Sequence, residues 1–91
     1  MIKANVKFFG HEQDGYGMPK PYHSYLVVAS PWEQQGSGVA SVIPLSSDTP
    51  ALDPPHKMSL QGGPEKAFDE VLVLLRGLPQ NKGLKELIHK D

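Results

Sequence analysis

The segment HEQDGYGMPKPYHSY, residues 11–25, concentrates the side chains of this sequence that are best suited to chemistry or to ligand contact. It holds two of the four histidines and all three tyrosines, together with two acids. Imidazole and carboxylate groups can exchange protons or coordinate a divalent metal, and tyrosine is common where proteins contact their partners. The candidate binding residues in this segment are His11, Asp14, Tyr16, Tyr22 and His23.

The spacing of these groups matches no recognised metal or catalytic motif. His11 and His23 offer nitrogen ligands, with Glu12 and Asp14 as oxygen ligands, but no two histidines stand one helical turn apart. The chain also lacks the GxSxG sequence that positions a serine nucleophile, and it has no cysteine. We therefore predict no metal, no cofactor and no catalytic residue. The alternative is a small hydrolase or isomerase that uses His11 or His23 with a nearby acid.

Glycines and prolines indicate how the same segment connects its neighbours. Gly15 and Gly17 are typical of turns, and Pro19 and Pro21 favour an extended approach to the next strand. This predicts a connecting loop of about eleven residues, longer than the usual hairpin connection and therefore a candidate contact surface. Trp32, in SPWEQQG, either covers the edge of the core or serves as an aromatic anchor, and we group it with the 11–25 loop.

Four segments have the composition of β-strands. Ile2, Ala4, Val6 and Phe8 alternate with polar residues, which predicts a first strand ending at Gly10. The segments 22–29 and 38–43 are apolar at both parities, and 56–61 alternates over a short length. Residues 46–55, SSDTPALDPP, form a proline-rich connecting loop.

One helix and a tail follow the fourth strand. Pro64 is typical of a first helical residue, and Gly77, as a left-handed closing residue followed by Pro79, predicts the end. Helical spacing places one set of apolar residues on a single face: Phe68, Val71, Leu72 and Leu75, widened by Ala67 and Leu74. In the tail, Leu84, Leu87 and Ile88 also have helical spacing, which predicts a short docked helix, with a last strand as the competing interpretation.

This order predicts one α+β domain over residues 1–91: a mainly antiparallel four-stranded sheet in the order β-β-β-β-α, covered on one face by a single helix, with a short helical C-terminal tail. Strands two and three are apolar on both faces, whereas a half-exposed antiparallel sheet alternates. A second cover is therefore needed, which the tail, the 46–55 loop or another chain could supply. We predict a homodimer whose interface includes Tyr25, Val27 and Ala29.

Composition narrows the function further. No apolar run approaches the roughly 20 residues of a membrane span, and no secretory signal is visible, so a cytoplasmic protein without membrane contact is expected. The net charge is −1, and residues 10–56 carry five acids against one lysine, which argues against nucleic acid as a partner. The predicted function is a non-catalytic binding or assembly module that contacts a protein or small ligand through the 11–25 loop and Trp32. An RNA-binding accessory protein ranks third.

Overall fold

The fold is an α+β arrangement in which one helix packs on a five-stranded antiparallel sheet, as seen in a computed structural model. The structure describes the backbone of residues 1–13 and 15–91, and the side chains of all of these except residues 11–13, 19 and 20. The elements are β1 (Ile2–Gln13), β2 (Pro19–Pro31), β3 (Gly38–Pro44), β4 (His56–Ser59), α1 (Gly63–Gly77), a 3-10 turn (Pro79–Asn81) and β5 (Lys85–Lys90).

The strand order across the sheet is β4-β3-β2-β1-β5. The first four strands form a meander of antiparallel neighbours. Helix α1 then carries the chain from the β4 edge to the opposite edge, where β5 pairs antiparallel with β1. The helix packs mainly against β3, β2 and β4.

The predicted strand count and tail are corrected by β5. The tail is a strand and not a helix, so the sheet has five strands instead of four. A helix of about eight residues is marginal in water, whereas this segment satisfies its backbone groups by pairing with β1 from Ala4 to Phe9. Side chains of β5 alternate between the two faces of the sheet, as in any strand: Glu86 and Ile88 lie on the face that α1 covers, and Lys85 and Leu87 lie on the other face. The helical spacing of the tail leucines had hidden this alternation in the sequence.

The core lies between α1 and one face of the sheet, to which every second residue of β1, β2 and β3 contributes its side chain. Its buried apolar residues are Ala4, Val6, Phe8, Tyr25, Val27, Ala29, Ala40, Val42, Leu52, Ala67, Phe68, Val71, Leu72 and Leu75. The predicted helix face is confirmed except at Leu74, which is 43% exposed. Gly77 is the last helical residue and has no positive φ, so the predicted left-handed ending is wrong.

The start of α1 sits directly on the hairpin that joins β2 and β3. The Gly63 amide donates to the Gly36 carbonyl over 2.7 Å, and a Cβ on Gly38 would overlap the Gly63 carbonyl. Gly62 and Gly63 both have positive φ, the conformation that glycine adopts most readily. The glycines at 36–38 and those at 62–63 therefore allow the backbone of the β2–β3 hairpin to contact the backbone at the start of α1 directly.

The predicted dimer interface is corrected by the position of α1. Tyr25, Val27 and Ala29 are each 0% exposed, because they lie on the sheet face that the helix covers within the same chain. They cannot contact a second chain in this fold. The open face of the sheet carries the opposite parity of β2, which includes Leu26 and Val28.

Candidate functional site

Most of the segment predicted as a loop belongs to strands. β1 continues to Gln13 and β2 begins at Pro19, so residues 11–25 form much of a β-hairpin. In the described pairing, β3 reaches β2 only from Tyr25 onward and β5 reaches β1 only up to Phe9. Residues 10–13 and 15–22 therefore extend past both neighbouring strands, and we call these residues the arm.

A bulge at the base of the arm rearranges its aromatic residues. His23 pairs with Phe8 and Pro21 pairs with Phe9, so the register shifts by one residue at Tyr22, as in a β-bulge. The Tyr22 ring fills the position that a side chain on Gly10 would occupy. It also lies edge-on to the His23 ring, with centroids 6.4 Å apart. Gly10 thus does not end β1 but makes room for a cross-strand aromatic ring.

His23 is held in a polar network that is buried at its centre. Its Nδ1 lies 2.6 Å from Oδ1 of Asn81, a residue that is 2% exposed. The Asn81 amide nitrogen donates to the Leu75 carbonyl over 3.0 Å and to the Tyr25 hydroxyl over 3.2 Å. The Tyr25 hydroxyl in turn donates to the Pro50 carbonyl over 2.6 Å. The network joins β2, the end of α1, the 3-10 turn and the loop after β3.

The acceptors at the ends of this network fix the direction of its hydrogen bonds. The Leu75 carbonyl can only accept, so the Asn81 atom that faces it is the amide nitrogen. The remaining Asn81 atom is the oxygen, which requires a hydrogen on Nδ1 of His23. In the neutral imidazole, Nε2 is then the nitrogen that carries the lone pair.

Tyr25 is the central member of the network and belongs to the core as well. Its ring packs edge-to-face on Phe8, with centroids 6.0 Å apart. Burial raises the pKa of the Tyr25 hydroxyl above its usual value of 10.0, and the hydrogen bond from Asn81 opposes this in part. The phenol therefore stays protonated and can keep donating to Pro50 throughout the neutral range.

Among the described residues, no acid joins this network, although the enzymatic alternative needs one. The partner of His23 is an amide, and among the described residues no acidic side chain bonds to it. The described residues also contain no group of three or more histidine and acidic side chains arranged to hold a metal. An imidazole oriented by an amide stabilises the fold around it, and this is the role that the described contacts of His23 support.

A cleft opens between the arm and the start of β5. Its volume is about 540 Å³, and its lining residues are Phe9, Gly10, Met18, Gly83, Lys85, Glu86 and Leu87. Phe9, Met18 and Leu87 give it mainly apolar walls. The Glu86 carboxylate pairs with Arg76 and its Oε2 is shielded from solvent. We call this feature the arm cleft.

The open face of the sheet combines an apolar cluster with a basic margin. The apolar cluster lies on β2, β3 and β4 and consists of Leu26, Val28, Val39, Ile43 and Met58. Ile43 is 47% and Met58 41% exposed. The basic margin lies on β1 and β5 and consists of Lys3, Lys7 and Lys85. Among strand side chains that the structure describes, this face carries no acid.

The candidate residues do not form one site. Trp32 follows the far end of β2, roughly 30 Å along the strand from His23 at 3.3 Å per residue. It is 44% exposed, and its amide donates to the Ser37 carbonyl, closing the β2–β3 connection. Tyr16 is 94% exposed near the tip of the arm. The His11 side chain and Asp14 lie outside the described part of the chain.

Sequence reasoning missed the residues that build both features. Asn81 sits in the polar stretch QNKG, where nothing in the pattern indicates burial. Met18, Lys85 and Leu87 meet only because β5 pairs with β1 beside the arm. The one signal for the cleft is that Phe9 directly follows Phe8, which places an aromatic ring on the otherwise polar face of β1. Nothing in the sequence pattern indicates which residues pack beside that ring.

Comparison with known proteins provides no relative. No protein-family model matches the chain, and neither a curated protein nor a solved structure matches it. Within the described residues, no helix combines the length and apolar character needed to cross a membrane.

Proposed function

We propose that this protein is a non-catalytic binding and assembly module that forms a homodimer through the open face of its sheet. The observation that carries the proposal is the apolar cluster on β2, β3 and β4, which lies on the face opposite α1. Contiguous apolar side chains on a sheet face are typical of a surface that packs against another layer. No element among the described residues supplies that second layer on this side.

A second copy of the chain suits this face because the apolar cluster can pair with itself. A two-fold axis running along the strands between β2 and β3 places β2 of each chain over β3 of the other. The basic margin on β1 then lies over β4 of the partner, which carries His56 and Met58. An axis perpendicular to the strands would instead oppose β1 with β1 and bring like charges together.

The size of the face agrees with a modest dimer interface. Four strands spaced about 4.8 Å apart and about 23 Å long cover about 440 Å² in projection. The accessible area is larger because side chains stand out from the plane. Specific interfaces begin near 600 Å² on each partner, so we expect a dimer that dissociates on dilution.

Sedimentation velocity over about 1 to about 200 µM tests the proposal. We expect a species of twice the 10.0 kDa chain mass at the upper concentrations. Ile43→Lys should yield the monomer at all concentrations, because it places a charge in the apolar cluster. The matched control is Leu74→Lys, at a 43% exposed position on α1, and it should remain dimeric. A wild-type chain that stays monomeric throughout, with the circular dichroism of a folded protein, would refute the proposal.

The arm and Trp32 remain predicted contact surfaces of this module. Because they lie at opposite ends of β2, they would serve separate contacts, and we assign the small-ligand contact to the arm. The exposure of Tyr16 at its tip and the cleft at its base support this assignment.

A further inference from the structure

We propose that the arm cleft binds a small amphipathic molecule with an apolar body and one carboxylate-type anionic group. The inference rests on the proposed role of the arm in ligand contact, and it names the chemistry of that ligand. It is independent of the homodimer, because the arm cleft and the apolar cluster share no residue.

The size and walls of the arm cleft favour a small apolar body. Its volume of about 540 Å³ falls within the usual 300–1,000 Å³ of small-molecule sites. Phe9 and Leu87 project from neighbouring strands on the same face, and Met18 approaches from the connection between β1 and β2. A methionine wall adapts to the shape of an apolar ligand because its side chain is flexible.

Glycine keeps the mouth of the arm cleft open. A Cβ on Gly83 would meet nothing within 4 Å, so the space beside it is unfilled. Gly83 has a φ of +80°, which L-residues rarely adopt, and this turn directs the chain into β5. At Gly83, in the turn that leads into β5, the wall of the arm cleft is therefore formed by backbone alone.

The charges around the arm cleft select an anion. Among the described lining residues, two are charged, Lys85 and Glu86. The ion pair with Arg76 compensates the charge of Glu86, and the second carboxylate oxygen is inaccessible to a ligand. Lys85 is exposed and has no ion-pair partner among the described residues. Lys7 lies on the same face, directly opposite Leu87, and adds to the positive potential.

A single ammonium group beside apolar walls recognises one anionic group at the end of an apolar chain or ring. The ammonium donates up to three hydrogen bonds to a carboxylate, while Phe9, Met18 and Leu87 exclude water from the apolar body. A neutral ligand of the same shape gains only the apolar contacts, and a cation meets repulsion.

The probes are octanoate, octan-1-ol and octylammonium, titrated into ¹⁵N-labelled full-length chain and followed by amide chemical shifts. We expect octanoate to bind most tightly and octylammonium most weakly, with the largest shifts at Gly10, Gly83 and Leu87. Lys85→Gln should weaken octanoate binding about tenfold and leave octan-1-ol binding unchanged, because it removes a charge-assisted contact and no apolar wall. Leu87→Ser should weaken both.

Lys3→Gln is the matched control, because it makes the same charge change on the same face near the other end of β1. It should leave octanoate binding within about twofold of wild type. Octanoate and octan-1-ol binding with equal affinity, or shifts confined to the apolar cluster, would overturn the proposal. The Ile43→Lys monomer should still bind octanoate, so loss of the dimer and loss of the ligand site are distinguishable outcomes.

Discussion

Replacement of Asn81 by leucine tests whether the polar network holds the fold together. Leucine is close to asparagine in size, so the change removes three hydrogen bonds without leaving a large cavity. The bonds to the Leu75 carbonyl and the Tyr25 hydroxyl are buried, and each contributes about 1 kcal/mol net. The bond to the half-buried His23 contributes less, because water replaces it in part.

The expected loss is about 2–3 kcal/mol in the free energy of unfolding. A chain of this length has about 5–14 kcal/mol in total, so the change removes a substantial fraction of it. In urea, with a slope of roughly 1 kcal/mol per M for a small domain, the unfolding midpoint should fall by about 2–3 M. Circular dichroism at one fixed chain concentration measures the midpoint, because a dimer's stability depends on concentration.

Gln80→Leu is the matched control for Asn81→Leu. Gln80 is the preceding residue in the same 3-10 turn but is exposed, so its replacement should change the free energy of unfolding by less than about 0.5 kcal/mol. An Asn81→Leu variant within about 1 kcal/mol of wild type would refute the reasoning, since three lost hydrogen bonds at a buried amide cannot be neutral unless the network is not formed.

Three further predictions follow from the same structure. Burial raises the pKa of Tyr25, so just above pH 10 its hydroxyl ionises in the unfolded state only, and the free energy of unfolding should fall as the pH rises from there. In urea titrations at several pH values, Tyr25→Phe should show a smaller fall in the free energy of unfolding per pH unit. Gly38→Ala should destabilise the chain by about 2 kcal/mol in thermal or urea unfolding, because its Cβ overlaps the Gly63 carbonyl. Imidazole ¹⁵N shifts of neutral His23 should report a hydrogen on Nδ1 and a bare Nε2.

Each of these predictions has its own control or contrary outcome. Equal alkaline slopes in wild type and Tyr25→Phe would show that the hydroxyl titrates alike in both states. Gly77→Ala, at a position where a Cβ meets nothing within 4 Å, should be neutral or slightly stabilising beside Gly38→Ala. A hydrogen found on Nε2 of neutral His23 would mean that the Asn81 amide has the reverse orientation.

Sequence patterns predicted the elements that have strong local signals. The alternation of Ile2 to Phe8, the proline at the start of α1 and the apolar face of that helix each follow from residue order within a short window. The α+β class follows from the order of the elements, and the antiparallel arrangement of the first four strands follows from links that are shorter than the crossover of about a dozen or more residues that a parallel pair needs. The segment 11–25 is polar and aromatic, but its strands extend further than its glycines and prolines indicate.

The site could not be predicted because it depends on contacts between distant segments. His23 and Asn81 are 58 residues apart, and only the docking of the 3-10 turn beside β2 brings them together. The arm cleft likewise needs β5 beside β1, an arrangement that the helical spacing in the tail concealed. Trp32 and the arm were grouped together, yet the length of β2 separates them.

The sequence by itself determined that two faces of the central strands are apolar, because side chains alternate along any strand whatever it packs against. Only the tertiary structure decided which face α1 covers. The helix contacts the parity of Tyr25, Val27 and Ala29, and the opposite parity, with Leu26 and Val28, remains on the open face. The choice was not encoded locally, because it depends on where the chain crosses over the sheet after β4. The start of α1 lies against Gly38, where a Cβ would overlap the Gly63 carbonyl.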